Sequence, residues 1–403
     1  MVSGRTAHLR HAIHYAALLR AVDKLVKDKP DELKNGENLA DQDWSNILAG
    51  QSWVVTHAEA DDEAAQLCSD FALEARNILL HRPREYIQWL EPALGAARRL
   101  KQPSAECDHA VQLGVAYAFV GQPRRGIECF QEALILARQT DNILEEGRIL
   151  GHLGVVFVEL NEGRSAINAF ERARVIFREI GNRYAEVAMI GNLGSAYAKI
   201  GALDHAFSCY LDCFAIHGEI NDRNGQTQDL GNLGTVRYNS GDISSAKSFY
   251  EEQLKLARQI ADLRQEGSAL SKIALVYSDL GDRRQAIECA QEGLGVFRKL
   301  GDLREVGRML GTLAAIYDDL GEPQRAIESY EEALKIVRDI DDSLNEGTLL
   351  LNMTGIMGRL GNRAQAICYG KAAMEIFERH ESPYAADLRN LLARWHKEEE
   401  QKG

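Results

Sequence analysis

Residues 186–214 read EVAMIGNLGSAYAKIGALDHAFSCYLDCF and contain the pattern that decides the fold. Apolar side chains recur at helical spacing up to Gly201 and again after it. The first stripe consists of Met189, Ile190, Leu193 and Tyr197, and the second of Ala206, Tyr210, Cys213 and Phe214. Glycine adopts positive φ without a Cβ clash, so it suits a tight turn between helices. The stretch therefore predicts two helices joined by a turn.

The same pattern recurs every 40 residues along most of the chain. One column holds the turn residues Gly121, Gly201, Gly241, Gly281, Gly321 and Gly361, with Asn161 in place of glycine. A second column holds Ala166, Ala206, Ala246, Ala286, Ala326 and Ala366. A third holds Leu113, Leu153, Leu193, Leu233 and Leu313, with Ile273 and Met353 between them. A period of this length is the signature of a repeat protein.

Short polar pairs separate one unit from the next. They are Asp141-Asn142, Gly181-Asn182, Asn221-Asp222, Gly301-Asp302 and Asp341-Asp342. Such residues favour turns and helix N-caps, so each pair is predicted to open the next helix. Glycine also follows leucine inside the first helix, as in Leu193-Gly194, where it costs about 1 kcal/mol relative to alanine. We expect close backbone approach between paired helices to offset that cost.

The units resemble the tetratricopeptide repeat in its 40-residue form, as in Pins/LGN adaptors and kinesin light chains. The matching features are Leu-Gly-x-x-Tyr in the first helix and alanine plus an aromatic residue in the second. The resemblance implies an all-α fold, a right-handed superhelix of about eight repeats. We predict a degenerate first repeat at 61–102, seven repeats at 103–382 ended by Pro383, and a capping helix at 383–403.

Residues 1–60 are predicted to form a helical segment of their own. The spacing of apolar residues predicts one helix over 5–28 and a second through Trp44 and Trp53, with a polar loop at 30–42. With the Trp89-Leu90-Glu91-Pro92 stretch that follows, this order is similar to the region linking to the repeat sensor in bacterial signal-transduction ATPases of the STAND class. That resemblance implies an upstream ATPase module outside this sequence.

Composition and charge exclude several kinds of partner. The 403 residues have a formal net charge of −13, so nucleic acid is not expected as a partner. No apolar run approaches the roughly 20 residues of a membrane helix, and no membrane partner is expected. Seven cysteines without a CxxC pair indicate a reduced, cytoplasmic protein.

Candidate chemical motifs favour structural explanations, and we predict no catalytic residue, cofactor or metal. His8, His11 and His14 spread around a helix instead of converging on one point. The segment from Gly241 to Ser248 resembles a P-loop but has Ala246 at the second glycine position and follows a predicted helix. An enzyme is therefore not expected.

The candidate binding residues lie on the first helix of each repeat. The residue before the leucine of Leu-Gly is polar in every copy, and in the resembled family this position faces the concave groove. This column consists of Gln112, His152, Asn192, Asn232, Lys272, Thr312 and Asn352. Amide side chains both donate and accept hydrogen bonds, which suits an extended peptide. A solvated helix face is the alternative, although glutamate and lysine would then be more frequent.

Neighbouring turns of these helices complete the predicted groove. The earlier turn supplies Arg148, Gln228 and Arg308, and the later turn supplies Lys199. Arginine is suited to binding carboxylates or phosphates, but pairing of Arg148 with Glu145 and of Arg308 with Glu305 explains them equally well. The predicted peptide-binding groove comprises Gln112, Arg148, His152, Asn192, Lys199, Gln228, Asn232, Lys272, Arg308 and Asn352.

Two functions follow from these resemblances. The first is a protein- or peptide-binding sensor or autoinhibitory region of a STAND-type ATPase, whose partners are a ligand in the groove and the upstream ATPase module. The second is a free-standing scaffold of the Pins/LGN type that joins two proteins.

Overall fold

The computed structural model describes residues 4–28, 41–380, 382 and 384–400. Twenty α-helices and no strand occur in these residues. Most of the predicted loop at 30–42 and the predicted break at Pro383 lie outside them, while residues 41 and 42 are helical. The chain divides into two compact units, Met1–Cys209 and Tyr210–Gly403 (units 1 and 2).

Unit 1 begins with five helices that precede the regular repeats. They are α1 Gly4–Asp28, α2 Trp44–His57, α3 Asp62–Glu74, α4 Arg76–Leu79 and α5 Pro83–Arg99. The regular helices follow as α6 Pro103–Phe119, α7 Pro123–Gln139, α8 Ile143–Glu159, α9 Gly163–Glu179 and α10 Arg183–Lys199. The next helix, α11 Leu203–Glu219, contains the boundary between the units. The two helices predicted before residue 60 are thus confirmed.

Unit 2 continues with helices of 17 or 18 residues. They are α12 Arg223–Asn239, α13 Ile243–Gln259, α14 Leu263–Asp279, α15 Arg283–Leu300, α16 Leu303–Asp319, α17 Pro323–Asp339, α18 Ser343–Arg359 and α19 Arg363–Arg379. The last helix is α20 Tyr384–Glu400. From α6 to α19 a helix begins every 20 residues, which confirms the period read from the sequence.

The junctions between helices form as their residue types predict. Gly201 has a φ of 80°, and Asn161, which replaces glycine, has a φ of 58°. Asn182 accepts a hydrogen bond from the backbone N–H of Ala185 at 3.1 Å and caps α10. Asp222 caps α12 in the same way, through the N–H of Gly225 at 2.9 Å. A left-handed residue followed by an N-cap therefore ends one helix and starts the next.

At two of the Leu-Gly pairs the glycine has a different role from the predicted one. A Cβ atom at Gly154 would lie 2.4 Å from Cε1 of Phe170, and one at Gly234 would lie 2.5 Å from Cε1 of Tyr250. The absence of a side chain thus makes room for an aromatic ring of the second helix. The atoms that a Cβ would clash with belong to that ring and not to the backbone of the neighbouring helix. The expectation of close backbone approach was wrong at these positions, because the ring occupies the space.

Buried apolar side chains form the core of each unit. In unit 1, α1 and α2 pack together and on α3, and the Trp44 and Trp89 rings stack with centroids 5.7 Å apart. Phe130, Phe170 and Phe177 are almost fully buried in the repeats that follow. In unit 2, Phe297, Tyr330 and Phe377 occupy corresponding positions. Leu388 and Leu392 of α20 are buried against the last repeat, as predicted for a capping helix.

Candidate functional site

The predicted column of unit 1 lies along helices α6, α8 and α10. Gln112 is buried, with 7% of its surface exposed, and His152 and Asn192 are half-buried. The His152 ring stacks on Phe130 with centroids 5.5 Å apart and planes 7° apart. Burial, then the nearby Arg148 and Arg76, lowers the pKa of His152. The histidine is therefore held as a largely neutral, flat surface at the edge of the core.

His152 borders a cavity of about 440 Å³ between α6 and α8. Its other lining residues are Val115, Ala118, Phe119, Phe130, Val155, Val156 and Glu159. Phe119 and Val155 remain 71% and 43% exposed, although both are large apolar residues. An exposed apolar pocket with one polar edge is the usual form of a site for an apolar group.

Two of the predicted groove residues of unit 2, Lys272 and Arg308, meet in a second cavity, between α14 and α16. Lys272, Arg308 and Thr312 line it together with Ser268, Ser271, Leu275, Glu305 and Met309, and its volume is about 300 Å³. The Lys272 Nζ atom lies 3.4 Å from the carbonyl oxygen of Gly231 and 5.4 Å from the centroid of the Tyr250 ring. Burial, together with Arg308, lowers the pKa of Lys272 to about 8. This cavity is therefore polar and partly cationic, unlike the one beside His152.

The remaining predicted residues are not brought into either cavity. Asn192 and Asn232 are half-buried, whereas Gln228 and Asn352 are exposed on their helices. Lys199 donates a hydrogen bond from Nζ to the carbonyl oxygen of Val158 at 2.6 Å. The structure thus places the predicted residues on the first helices of their repeats but joins only some of them into pockets.

Both predicted arginines form the ion pair that was the alternative explanation. Arg148 lies 3.3 Å from the Glu145 carboxylate, and Arg308 lies 2.6 Å from that of Glu305. Despite the nearby Arg148, burial raises the pKa of Glu145. A ligand that uses either arginine would therefore share it with an intramolecular carboxylate.

The other motifs have structural roles. Gly241 is a turn residue with a φ of 83°, it follows helix α12, and Ala246 is fully buried. His8 stacks on Trp53 with centroids 6.1 Å apart. Among the described residues no group of three or more His, Cys, Asp or Glu side chains is placed to hold a metal ion. Burial raises the pKa of the Cys68 and Cys107 thiols to about 12, which disfavours the reactive thiolate.

Sequence reasoning missed the apolar half of the site and two buried polar pairs. Phe119 and Val155 are exposed at helical positions where other repeats have polar residues. The columns of these two residues therefore do not identify them as part of a binding site. Inside the core, Ser69 lies 2.7 Å from His109 and His217 lies 2.6 Å from Asp229. A signal was available for both pairs, because His109 of the first and Asp229 of the second interrupt a column that is otherwise apolar in the regular repeats.

Comparisons with known proteins identify the class. Residues 265–339 and 305–379 each match the tetratricopeptide repeat family model. Helices α6–α19 begin at regular 20-residue intervals, and this spacing continues through the matched residues. The described part of the chain therefore has the all-α fold of a tetratricopeptide-repeat solenoid. Together the two matches cover residues 265–379, which lie in unit 2. No curated protein matches the chain.

Three solved structures show the same fold at low sequence identity. Aspartyl phosphate phosphatase F from Bacillus subtilis is 11% identical with a TM-score of 0.57, over 93% of this chain and 95% of that one. The apo quorum sensor NprR from B. thuringiensis is 16% identical with a TM-score of 0.56, over 88% and 99%. The STAND protein PH0952 from Pyrococcus horikoshii, which has a tetratricopeptide repeat sensor, is 15% identical with a TM-score of 0.55, over 90% of this chain and 55% of that chain.

No described helix has both the length and the apolar character needed to cross a membrane.

Proposed function

We propose that the first helices of the repeats bind a peptide or protein segment and that the chain is the ligand-sensing region of a STAND-type signalling protein. The observation that carries this proposal is the pair of cavities between successive first helices. Predicted column residues line both of them, His152 in unit 1 and Lys272 with Thr312 in unit 2.

The two cavities favour different side chains of a bound segment. The pocket beside His152 offers Phe119 and Val155, whose partial exposure in the free protein makes burial of an apolar side chain favourable. The pocket beside Lys272 offers hydroxyl groups from Ser268 and Ser271 as well as the ammonium group, so it suits a polar or acidic side chain. Half-buried Asn192 and Asn232 would hydrogen-bond the backbone of the bound segment.

The proposed sensing role draws on the similar folds. One of them is named a quorum sensor, and another is a STAND protein with a repeat sensor. In such a protein, a ligand that binds one state of the repeat region better than another would shift the balance between inactive and active states of the ATPase. The free-standing scaffold is the second candidate, since an adaptor would use the same helix surface without an ATPase.

The binding surface is tested with a peptide selected on the full chain from a random phage-displayed library and then measured by calorimetry. We expect simultaneous Asn192→Ala, Asn232→Ala and Asn352→Ala replacement to weaken binding about tenfold or more, because each amide contributes about 0.5–1.5 kcal/mol. The matched control replaces Gln139 and Gln259, which are exposed near the ends of second helices, with alanine.

Equal affinity of the triple variant and the wild type, with unchanged circular dichroism, would refute the assignment of this surface. The signalling role is tested separately by reading the genomic sequence upstream of the first codon. A P-loop ATPase in the same reading frame supports the sensor, whereas an independent promoter and start codon support the scaffold.

A further inference from the structure

A second kind of groove lies on the opposite helices of the repeats, away from the predicted column. In unit 1 it runs between α7 and α9 with α8 beneath, and its volume is about 460 Å³. The floor is apolar and consists of Leu134, Leu150, Leu153, Phe157 and Ala169. The rim is polar or basic and consists of Gln131, Arg164, Ser165, Asn168 and Arg172. No acidic residue is among these lining residues.

The same groove occurs 160 residues later in unit 2, between α15 and α17 over α16. Its volume is about 390 Å³, and its apolar lining residues Leu294, Leu310, Leu313 and Tyr317 stand in the columns of Leu134, Leu150, Leu153 and Phe157. The repeat therefore builds this cavity by itself, and the presence of a groove is not evidence of a ligand. The rims of the two grooves differ in charge.

The rim of the groove in unit 2 is neutralised within the protein. Arg298 lies 2.6 Å from the carboxylate of Glu332, and Arg325 lies 2.6 Å from that of Glu322. The Arg325 guanidinium also stacks over the Tyr317 ring, 4.0 Å from its centroid. With Glu328 also on this rim, the acidic and basic lining residues are equal in number.

In unit 1 the two acidic positions of this rim are replaced. Asn168 stands in the column of Glu328, and Arg172 stands in the column of Glu332. Arg138, which corresponds to Arg298, pairs across the junction with Glu146 at 2.8 Å instead. Within the described structure Arg164 and Arg172 have no ion pair, so the groove keeps two unneutralised guanidinium groups.

The charge of Arg172 departs from the pattern of the repeat. Its column holds Glu132, Glu292 and Glu332 in other repeats, where these residues pair with Arg98, Arg258 and Arg298. An arginine in this place gives up an intramolecular ion pair and adds positive charge to a chain of net charge −13. Two arginines above an apolar floor form a surface complementary to acidic groups attached to an apolar side chain.

We propose that this groove of unit 1 is a docking surface for an acidic segment of a partner protein. An apolar side chain of that segment packs on Leu150, Leu153 and Phe157, and its flanking carboxylates pair with Arg164 and Arg172. Guanidinium groups bind carboxylates through two parallel hydrogen bonds, which orients the segment along the groove. The surface uses none of the residues proposed for ligand sensing, so the two proposals stand or fall separately.

The probe is a fluorescein-labelled synthetic peptide with the sequence Glu-Glu-Leu-Phe-Glu-Glu, titrated with the full chain and followed by fluorescence anisotropy. Two further peptides replace either the four glutamates by lysine or the two apolar residues by serine. We expect saturable binding of the first peptide alone, weakened by added salt because solvent-exposed charges are screened.

A variant that carries the residues of unit 2 tests the site itself. Arg164→Gln, Asn168→Glu and Arg172→Glu together give the rim the residues that its counterpart has at these three positions and lower its charge by four units, and all three positions are exposed. We expect affinity for the acidic peptide to fall about tenfold or more, since rim charges govern such association. The control makes the same total change of charge at the exposed residues Arg283 and Arg284 of α15, both replaced by glutamate.

The outcomes are distinct. Loss of binding in the groove variant and retention in the control support the docking surface. Absence of binding to the wild type, equal affinity for the lysine peptide, or an equal loss in the control would overturn it. Thermal unfolding of each variant checks that the repeats remain folded.

Discussion

The seventh position of the first helix carries a histidine in one unit and a carboxylate in the other. His109 occupies it in α6, and Asp229 occupies it in α12. Most other repeats place buried apolar residues there, among them Ile149, Met309 and Leu349. His109 is 0% exposed and Asp229 is 4% exposed, so both polar groups lie in the core. One place in the repeat thus holds a base in unit 1 and an acid in unit 2.

The two polar groups use different partners. Nε2 of His109 lies 2.7 Å from Oγ of Ser69, a buried residue of α3 one repeat earlier, while Nδ1 has no hydrogen-bond partner. Burial lowers the pKa of His109 to about 4. Asp229 instead lies 2.6 Å from Nδ1 of His217, at the end of the preceding helix α11. Burial raises the pKa of Asp229 to about 6, although the hydrogen bond to His217 opposes the shift.

The difference shows how the repeat tolerates polar groups in its core. Each is accepted where a neighbouring helix supplies one polar partner, and burial pushes each toward its neutral form. Because one group is a base and the other an acid, the same desolvation gives opposite pH dependence in the two units. Three experiments test this comparison.

The largest expected effect comes from removing one partner of the pair in unit 2. The His217 side chain is only 15% exposed, and Asp229→Ala removes its closest hydrogen-bond partner. We therefore expect the free energy of unfolding to fall by about 3 kcal/mol. Chemical denaturation followed by circular dichroism, with hydrogen exchange of α12 to localise the change, measures it.

The matched variant replaces both partners by residues that other repeats use in these columns. His217→Phe with Asp229→Met follows Phe297 and Met309. This double variant is expected to recover stability to within about 1.5 kcal/mol of the wild type, because a well-packed apolar pair can replace a buried polar one. If the double variant is as unstable as Asp229→Ala, the pair has a role beyond filling the core.

The second experiment concerns pH. For His109 the pKa of the folded state, about 4, lies below the 6.5 of the unfolded chain, so the unfolded state binds more protons between these values. Acidification through that window is expected to destabilise unit 1 by up to about 3 kcal/mol. Hydrogen-exchange protection of α6 between pH 7 and pH 4.5 measures the effect, and His109→Met should abolish it.

Asp229 is expected to respond in the opposite direction. Its folded pKa of about 6 lies above the unfolded value of 3.8, so acidification through this window favours the folded state of unit 2. On acidification, hydrogen-exchange protection of α12 should therefore receive a stabilising contribution from Asp229. The Asp229→Asn variant should lack that contribution. The same sign of pH dependence from both residues would contradict the assignment of burial as the common cause.

The smallest expected effect tests what the two units share. Gly154 and Gly234 each face an aromatic ring, so Gly154→Ala and Gly234→Ala should both lower the free energy of unfolding by about 1–3 kcal/mol through overpacking. Gly95→Ala is the control, because a Cβ atom there meets nothing within 4 Å and should stabilise α5 by up to about 1 kcal/mol. Unequal costs at Gly154 and Gly234 would show that the polar core of unit 2 also loosens its aromatic packing.

Much of the fold was predictable from residue types, because the same helix–turn–helix pattern recurs in every repeat. The turns at Gly201 and Asn161 and the caps at Asn182 and Asp222 formed as predicted, since each is determined by local backbone chemistry. Space inside the core was less predictable. The ring of Phe170 reaches Gly154 from another helix, and nothing near Gly154 in the sequence indicates it.

The candidate site shows the same division. Polarity of the column selected His152 and Lys272, and the turn before that column supplied Arg308. The structure brings these residues to cavities between successive first helices. It also pairs Arg308 with Glu305 and exposes Phe119 beside His152. The packing of neighbouring helices decides which residues of a column share a pocket. The positions of residues in a column give no distances between their side chains.

The sequence alone determined the repeat length, the turn and capping residues and the all-α class, because these depend on contacts within about one helical turn. Only the tertiary structure decided what each buried polar residue pairs with. It also decided which arginines are neutralised and which face a groove without an acidic partner. Those properties depend on side chains from different helices, whose separation is set when the repeats pack together.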